Sequence, residues 1–265
     1  MKLLRKDLIS LLTALAVFAP AAFGQDPDEE KEPDPEIEEK LDTFKEAISD
    51  KKMKRDSEAI ALIDELLQKG PDYHPKDRQD IIKGFKNVFS RKARKPDQPE
   101  LYIATVVALG ELGGDDAARV LQQVYGLRLF KEEEWQSMRE RILEQVGKCT
   151  SLRTVEFLLD ETGNNDIDGI KRAAGRALRH FDEAEFKTRR DIFEELLTKY
   201  GEITAVARSS ADPNNATVRK FKRTLSAVSD GWNTTLGAMS GQEFRTAEDW
   251  YEWFNDHKNK PKDWQ

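Results

Sequence analysis

Cysteine and histidine are scarce in this chain, which limits the kinds of site it can build. Cys149 is the only cysteine among 265 residues, so no disulfide can form within one chain and stability must come from packing. We interpret Cys149 as a small apolar residue at a helix end, with a reactive or intermolecular role as the alternative. The histidines are His74, His180 and His257, and none stands in a His-Glu-x-x-His or Cys/His arrangement. The spacing therefore argues against a zinc site.

Common catalytic motifs are also missing. The sequence has no Gly-x-Ser-x-Gly, no P-loop and no Gly-x-Gly-x-x-Gly segment, which are the usual nucleophile and nucleotide-binding motifs. Adjacent carboxylates such as Glu194 and Glu195 are frequent. Because 35% of the residues are charged, such pairs are expected on solvated helix surfaces. The sequence thus predicts no catalytic residue, no cofactor and no bound metal.

One segment, Asn164–Gly169, partly fits a calcium loop. It places oxygen ligands at the first, third and fifth positions and a glycine at the sixth. The twelfth position, which should supply a bidentate carboxylate, is Gly175, and the ninth is Arg172, which would repel the ion. We therefore expect a turn in which Asp166 or Asp168 caps the next helix, with calcium binding as the alternative.

The start of the chain has the pattern of a secretory signal. A basic beginning is followed by an uncharged apolar run over 8–19, which is shorter than the roughly 20 residues that span a bilayer. Ala22 and Gly24 are small residues at the positions a signal peptidase reads, so we predict cleavage before Gln25. An uncleaved anchor is the alternative. Residues 1–24 therefore predict an exported protein, periplasmic or extracellular, without stable membrane insertion after cleavage.

Beyond the signal, the apolar residues predict an all-α fold. Residues 25–35 contain no large apolar residue and are predicted to be a disordered acidic linker. From Glu36 onward apolar residues fall at helical spacing, without sustained β-type alternation. Breaks in this pattern divide the chain into N-terminal helical repeats over 36–95, a regular repeat region over 96–201 and a C-terminal helical cap over 202–265.

The region over 96–201 is periodic. Three Ala-Leu or Ile-Leu pairs fall at equivalent places in successive helix pairs, and their leucines, Leu109, Leu143 and Leu178, lie 34 and 35 residues apart. A near-constant period of two short helices is typical of a solenoid. Each helix pair has an apolar face that only a neighbouring pair can cover, so stacking stabilises the array.

These residues resemble a known family. Residues 108–121, Ala-Leu-Gly-Glu-Leu-Gly-Gly-Asp-Asp-Ala-Ala-Arg-Val-Leu, resemble the repeat of bacterial HEAT-like proteins, the type also named after phycobilisome lyases, and residues 173–178 resemble its first helix. Residues 236–244, followed by Trp250 and Trp253, are similar to the closing segment of exported bacterial HEAT-repeat proteins. The resemblance implies a right-handed α-solenoid of stacked antiparallel helix pairs with a Trp-rich C-terminal capping helix. Tetratricopeptide repeats are the second choice.

Two groups of side chains could contact a partner. Trp250, Trp253 and Phe254 share one helical face, and we expect them to cap the array rather than bind a ligand. Arg172, Arg176 and Arg179 share one face of a helix over 167–181 and would suit an acidic partner. Solvated surface with pairing along the helix is the alternative for the arginines.

The predicted function is a non-catalytic protein-interaction scaffold of the cell envelope, with a protein partner. The chain has a formal charge of −7, which does not favour nucleic acid as the partner. An enzyme or enzyme subunit related to the bilin lyases is one alternative, because some of those enzymes carry similar repeats. A purely structural spacer is the other.

Overall fold

The structure, a computed structural model, describes residues 32–68, 70–209 and 215–264, except the side chain of Pro71. The predicted signal peptide over 1–24 and most of the predicted linker over 25–35 lie outside these residues. Pro33–Gln265 form one compact unit. The predicted all-α class is confirmed: the described residues contain helices and no strand. The α-helices are α1 (Pro35–Ile48), α2 (Asp56–Leu67), α3 (Pro75–Val88), α4 (Glu100–Leu112), α5 (Gly114–Tyr125), α6 (Gln136–Lys148), α7 (Val155–Asn164), α8 (Asp168–Ala177), α9 (Phe186–Ala207), α10 (Ala216–Ser240) and α11 (Ala247–His257).

The helices pack against their neighbours in two series. In the first series α2, α4, α6, α8 and α10 each contact the next member. In the second, α1 contacts α3 and α3 contacts α5, while α7 contacts α9 and α9 contacts α11. Helices consecutive in the chain, such as α4 and α5 or α7 and α8, join the two series. This arrangement is compatible with an α-solenoid.

Glycines in the first series let adjacent helices approach closely. A Cβ atom at Gly147 of α6 would overlap the backbone of Ala177 in α8, and one at Gly175 of α8 would overlap the indole of Trp232 in α10. The indole Nε1 of Trp232 donates to the carbonyl oxygen of Lys171 at 3.1 Å, which ties α10 to α8. Glycine costs some helix stability, but here it allows helix-to-helix contact that a side chain would prevent.

The C-terminal part differs most from the pattern in the sequence. Helix α9 continues to Ala207, past position 201, where the repeat region was predicted to end and where Gly201 favours termination. At that glycine the ring of Tyr251 from α11 packs against the backbone, so a Cβ there would lie 2.7 Å from the Tyr251 hydroxyl. Gly201 therefore serves packing rather than helix termination. The long helix α10 falls within the predicted cap and packs against α8 and α9.

The C-terminal aromatic residues are part of the core. Trp250, Trp253 and Phe254 of α11 are buried, and their rings surround Phe193 of α9 at centroid distances of 5.7, 5.6 and 5.2 Å. Trp264 closes the cluster at 5.1 Å from Phe193. These rings offer little open aromatic surface to a ligand, as expected of a cap.

Candidate interaction surface

The three arginines proposed for binding lie on one side of α8 and the turn after it. Arg172 and Arg176 belong to α8, and Arg179 lies in the 3-10 turn Leu178–Phe181 that extends it. The opposite side of these elements is buried, because small and apolar side chains recur there at helical spacing. Its members are Ile170, Ala173, Ala174, Ala177 and Leu178.

The arginines pair with carboxylates of the neighbouring helix α6. Arg172 Nη2 lies 3.0 Å from Glu140 Oε2, and Arg176 Nε lies 3.2 Å from Glu144 Oε2. Arg179 Nη2 and His180 Nε2 lie 2.6 and 3.0 Å from the other oxygen of Glu144. We term these six residues the arginine ladder. The acidic partners of the arginines therefore come from a different helix, and not from the same helix as the alternative expected; the solvated surface that it also expected is compatible with the exposure of these side chains.

Glu144 is the electrostatic centre of the ladder. Burial on its own would raise the pKa of this carboxyl group. The hydrogen bond from His180 and the charges of Arg179 and Arg176 outweigh burial and lower the pKa from 4.5 to about 2. Glu144 is consequently ionised at neutral pH and holds three side chains of the α8 region against α6.

The arginines remain accessible despite these contacts. The side chains of Arg172 and Arg176 are each 46% exposed, and that of Arg179 is 33% exposed. On the side facing α10 their stems pack against Gly231: a Cβ there would lie 3.5 Å from Arg172 Cγ and 3.7 Å from Arg176 Cβ. None of the described residues of α10 forms an ion pair with the three arginines. Asp230 directly precedes Gly231 in α10, but it forms no ion pair with these arginines.

Helix α6 adds two further cations to the same surface. Arg141 and Lys148 are exposed and share the outward side of α6 with Glu144, since they lie three positions before it and four after it. Neither forms an ion pair within the described part of the chain. Together with the three arginines of the ladder they make five cations on α6 and the α8 region, of which Arg141 also lines a pocket with Glu134. We term this surface of α6 and α8 the basic face, and it contrasts with the net charge of −7 of the whole chain.

The segment weighed as a calcium loop is a turn whose acids contact α10. The N-cap residue of α8 is Ile167 and no side chain caps the helix, so neither Asp166 nor Asp168 takes the predicted capping role. Asn165 Oδ1 accepts from the backbone N–H of Ile167 at 2.9 Å and holds the turn. Asp166 lies 3.3 Å from Lys220, and Asp168 binds Arg223 at 2.9 Å and Thr224 at 2.7 Å. Among the described residues there is no group of three or more His, Cys, Asp or Glu placed to hold a metal ion.

Cys149 lies buried just after α6. Its Sγ is 3.8 Å from the carbonyl oxygen of Leu109 in α4, and burial raises the pKa of the thiol to about 12. A protonated, enclosed thiol of this kind is a poor nucleophile. The surroundings of Cys149 suit the role of a small apolar residue at the contact between α4 and α6.

The sequence analysis did not identify the acidic half of the ladder. Glu140 and Glu144 precede Arg172 and Arg176 by 32 residues each, close to the 34- and 35-residue repeat spacing. Aligning charged as well as apolar positions by the 35-residue period would have placed Glu144 beside Arg179, with which it pairs. The signal was therefore present, but it becomes visible only once α6 and α8 are assumed to be stacked neighbours.

Comparisons with known proteins identify no relative. No family model matches the chain, and neither curated proteins nor solved structures give a match. Within the part of the chain that the structure describes, none of the helices has the length and apolar character needed to cross a membrane.

Proposed function

We propose that this protein is a non-catalytic protein-interaction scaffold of the cell envelope, built as an α-solenoid of HEAT-like repeats. The observation that supports this most directly is the basic face, where three arginines of the α8 region and two cations of α6 are exposed or partly exposed to solvent. An accessible surface of one dominant charge on an oppositely charged protein favours association with a partner of complementary charge.

The helix contacts support the solenoid. Leu109, Leu143 and Leu178, which the repeat spacing aligns, are all fully buried at successive contacts of the first series. Because α4, α6 and α8 stack in chain order, each unit covers the apolar face of its neighbour, which is the packing that repeats of this kind require. Solenoids expose long surfaces formed by several helices, and the basic face is such a surface.

The chemistry of the ladder favours binding over catalysis. The titratable groups at the centre of the ladder, Glu144, Arg176, Arg179 and His180, are engaged with one another. A general acid or base needs to be free to exchange a proton with a substrate near the working pH. The low pKa of Glu144 makes it a poor base at neutral pH, whereas half-exposed arginines remain able to donate hydrogen bonds.

The proposal is tested by affinity capture from envelope extract with three baits. The first is the unaltered chain, and the second carries Arg172→Gln, Arg176→Gln and Arg179→Gln. The matched control carries Arg119→Gln and Arg153→Gln, which remove two exposed arginines that also pair with aspartates elsewhere on the chain. We expect a protein that the unaltered and control baits retain and the triple variant loses. If the three baits retain the same proteins, or none, the spacer becomes the better description.

Export is tested separately. The chain with and without residues 1–24 is expressed and the cells are fractionated. We expect the intact chain outside the cytoplasm and the truncated chain within it. Retention of the intact chain in the cytoplasm would remove the envelope from the proposal.

A further inference from the structure

The two glutamates of the arginine ladder show which kind of group binds its arginines. Helix α6 presents Glu140 and Glu144, one helical turn apart, to Arg172 and Arg176, which are also one turn apart. Residues four apart on a helix are separated by roughly 6 Å along its axis, so acids and arginines lie in register. The arrangement shows which geometry satisfies these arginines: carboxylates that recur at i and i+4 on the side of a helix.

Most guanidinium N–H donors of the three arginines make no hydrogen bond within the ladder. Each guanidinium carries five N–H donors in a planar fork and can therefore contact carboxylates along more than one edge. The ladder engages a single nitrogen of Arg172, of Arg176 and of Arg179. Because Glu144 is shared by two arginines and His180, the ladder also lacks one carboxylate per arginine. A second row of carboxylates would meet both unused donors and unbalanced positive charge.

The guanidinium groups of the arginines are partly exposed to solvent beside α10. Toward α10 their stems meet Gly231, which has no side chain, and the nearby residues of α10 are Ala227, Asp230 and Thr234. Helix α10 is itself fixed in place, since Thr235 Oγ1 donates to the carbonyl oxygen of Gly175 at 2.8 Å. Small side chains along a contact permit helix axes to approach to about 8 Å.

We propose that the basic face docks an acidic α-helix of a partner protein, whose carboxylates recur at i and i+4 and contact the solvent-exposed donors of Arg172 and Arg176. This inference rests on the proposed scaffold function and specifies its ligand. The partner helix adds, from solvent, carboxylates like those that Glu140 and Glu144 supply from α6. Arg141 and Lys148 attract it at longer range and accelerate its association.

A polyanion such as nucleic acid fits this surface less well. Glu140 and Glu144 lie between the cations of α6 and those of α8, so a continuous row of phosphates would pass close to two carboxylates. Helical side chains can place their acids selectively beside the arginines and avoid the glutamates. The alternation of charge therefore favours a helix with spaced carboxylates.

The direct test uses synthetic helical peptides and the full chain as purified after expression with residues 1–24 present. The probe is a fluorescent Ala-rich peptide with Glu at every fourth position along one side. One control replaces each Glu by Gln, and a second has the same composition with the Glu residues distributed around the helix. Fluorescence anisotropy should show binding of the first peptide, weakening as salt is added, and at least about tenfold weaker binding of both controls. Equal binding of the two Glu peptides, or equal binding of polyglutamate in coil form, would show that charge alone acts and would overturn the inference.

Two variants separate binding from effects on the helix stack. Arg172→Gln and Glu140→Gln break the same internal ion pair, yet the first removes the proposed contact and the second releases the arginine. We expect Arg172→Gln to weaken binding of the probe about fivefold, and Glu140→Gln to strengthen it by a similar factor. A change in the same direction for both variants would mean that the effect passes through the stack, against the inference.

Failure of the acidic-helix inference can be distinguished from failure of the scaffold proposal. If the Glu peptide does not bind but the triple arginine variant still loses a captured protein, the basic face binds a partner and only the acidic helix is wrong. If no protein is captured and no peptide binds, both proposals fail.

Discussion

Glu144→Gln should destabilise the protein in a way that depends on pH. The pKa of Glu144 is lowered from 4.5 to about 2 in the folded chain, and each unit corresponds to about 1.4 kcal/mol. The ionised carboxylate thus contributes about 3 kcal/mol to the free energy of unfolding. Because the folded-state pKa is the lower one, this contribution is complete above pH 4.5 and is lost as the pH falls from 4.5 toward 2. Glutamine keeps the shape of the side chain and loses the charge.

The assay is urea unfolding followed by circular dichroism at several pH values. At pH 7 we expect the variant to be about 2 to 3 kcal/mol less stable than the unaltered chain, with the difference shrinking toward zero near pH 2. Glu140→Gln is the control, since the side chain of Glu140 is 23% exposed and makes one ion pair. Its effect should be about 0.5 kcal/mol. If Glu144→Gln equals the control at pH 7, or if its deficit persists at pH 2, the ladder does not stabilise the stack by charge.

Three further predictions concern packing. Gly175→Ala should lower the free energy of unfolding by about 1 to 3 kcal/mol, because the added methyl overlaps the Trp232 indole. Gly163→Ala is the control: its methyl would meet only the flexible end of Lys199, so the urea midpoint should stay unchanged or rise slightly. Phe193→Ala should lower the free energy of unfolding by about 3 to 5 kcal/mol. It should also shift the tryptophan fluorescence to the red, because the Phe193 ring contacts three tryptophans. An unshifted spectrum would contradict the buried aromatic cap. The Cys149 thiol should react with a disulfide reagent at neutral pH only as fast as the chain unfolds, and rapid labelling of the native protein would show that the thiol is not enclosed.

Elements with strong periodicity could be predicted because their determinants are local. The apolar residues of α8 recur at helical spacing, which places its three arginines together on the opposite side. The aromatic residues at i, i+3 and i+4 in α11 likewise predicted a buried cap. In both cases one helix contains the whole pattern, so no knowledge of its neighbours is needed.

The remaining features depend on contacts between distant residues. Gly201 favours helix termination locally, but Tyr251, fifty residues later, packs over it and α9 continues. Asp166 and Asp168 are suitable caps for α8, yet both contact cations of α10 and the helix begins without a side-chain cap. Local preference is a weak guide wherever a tertiary partner competes for the same group. The partners of the arginines belong to this class, since nothing within α8 indicates that α6 supplies the acids.

The two glutamates of the ladder differ in how easily a partner could displace them. Glu144 has a side chain only 12% exposed and contacts three residues, so removing it would leave several donors without an acceptor. Glu140 is more exposed: it pairs with one cation, Arg172, and its other oxygen accepts from Gln136 Nε2 at 2.9 Å. Exposed ion pairs of this kind contribute roughly 1 kcal/mol or less. A docking helix can therefore exchange with Glu140 at little cost while Glu144 keeps α8 fixed to α6. Binding at the basic face should accordingly be reversible and sensitive to salt, with Arg172 as the member that changes partner.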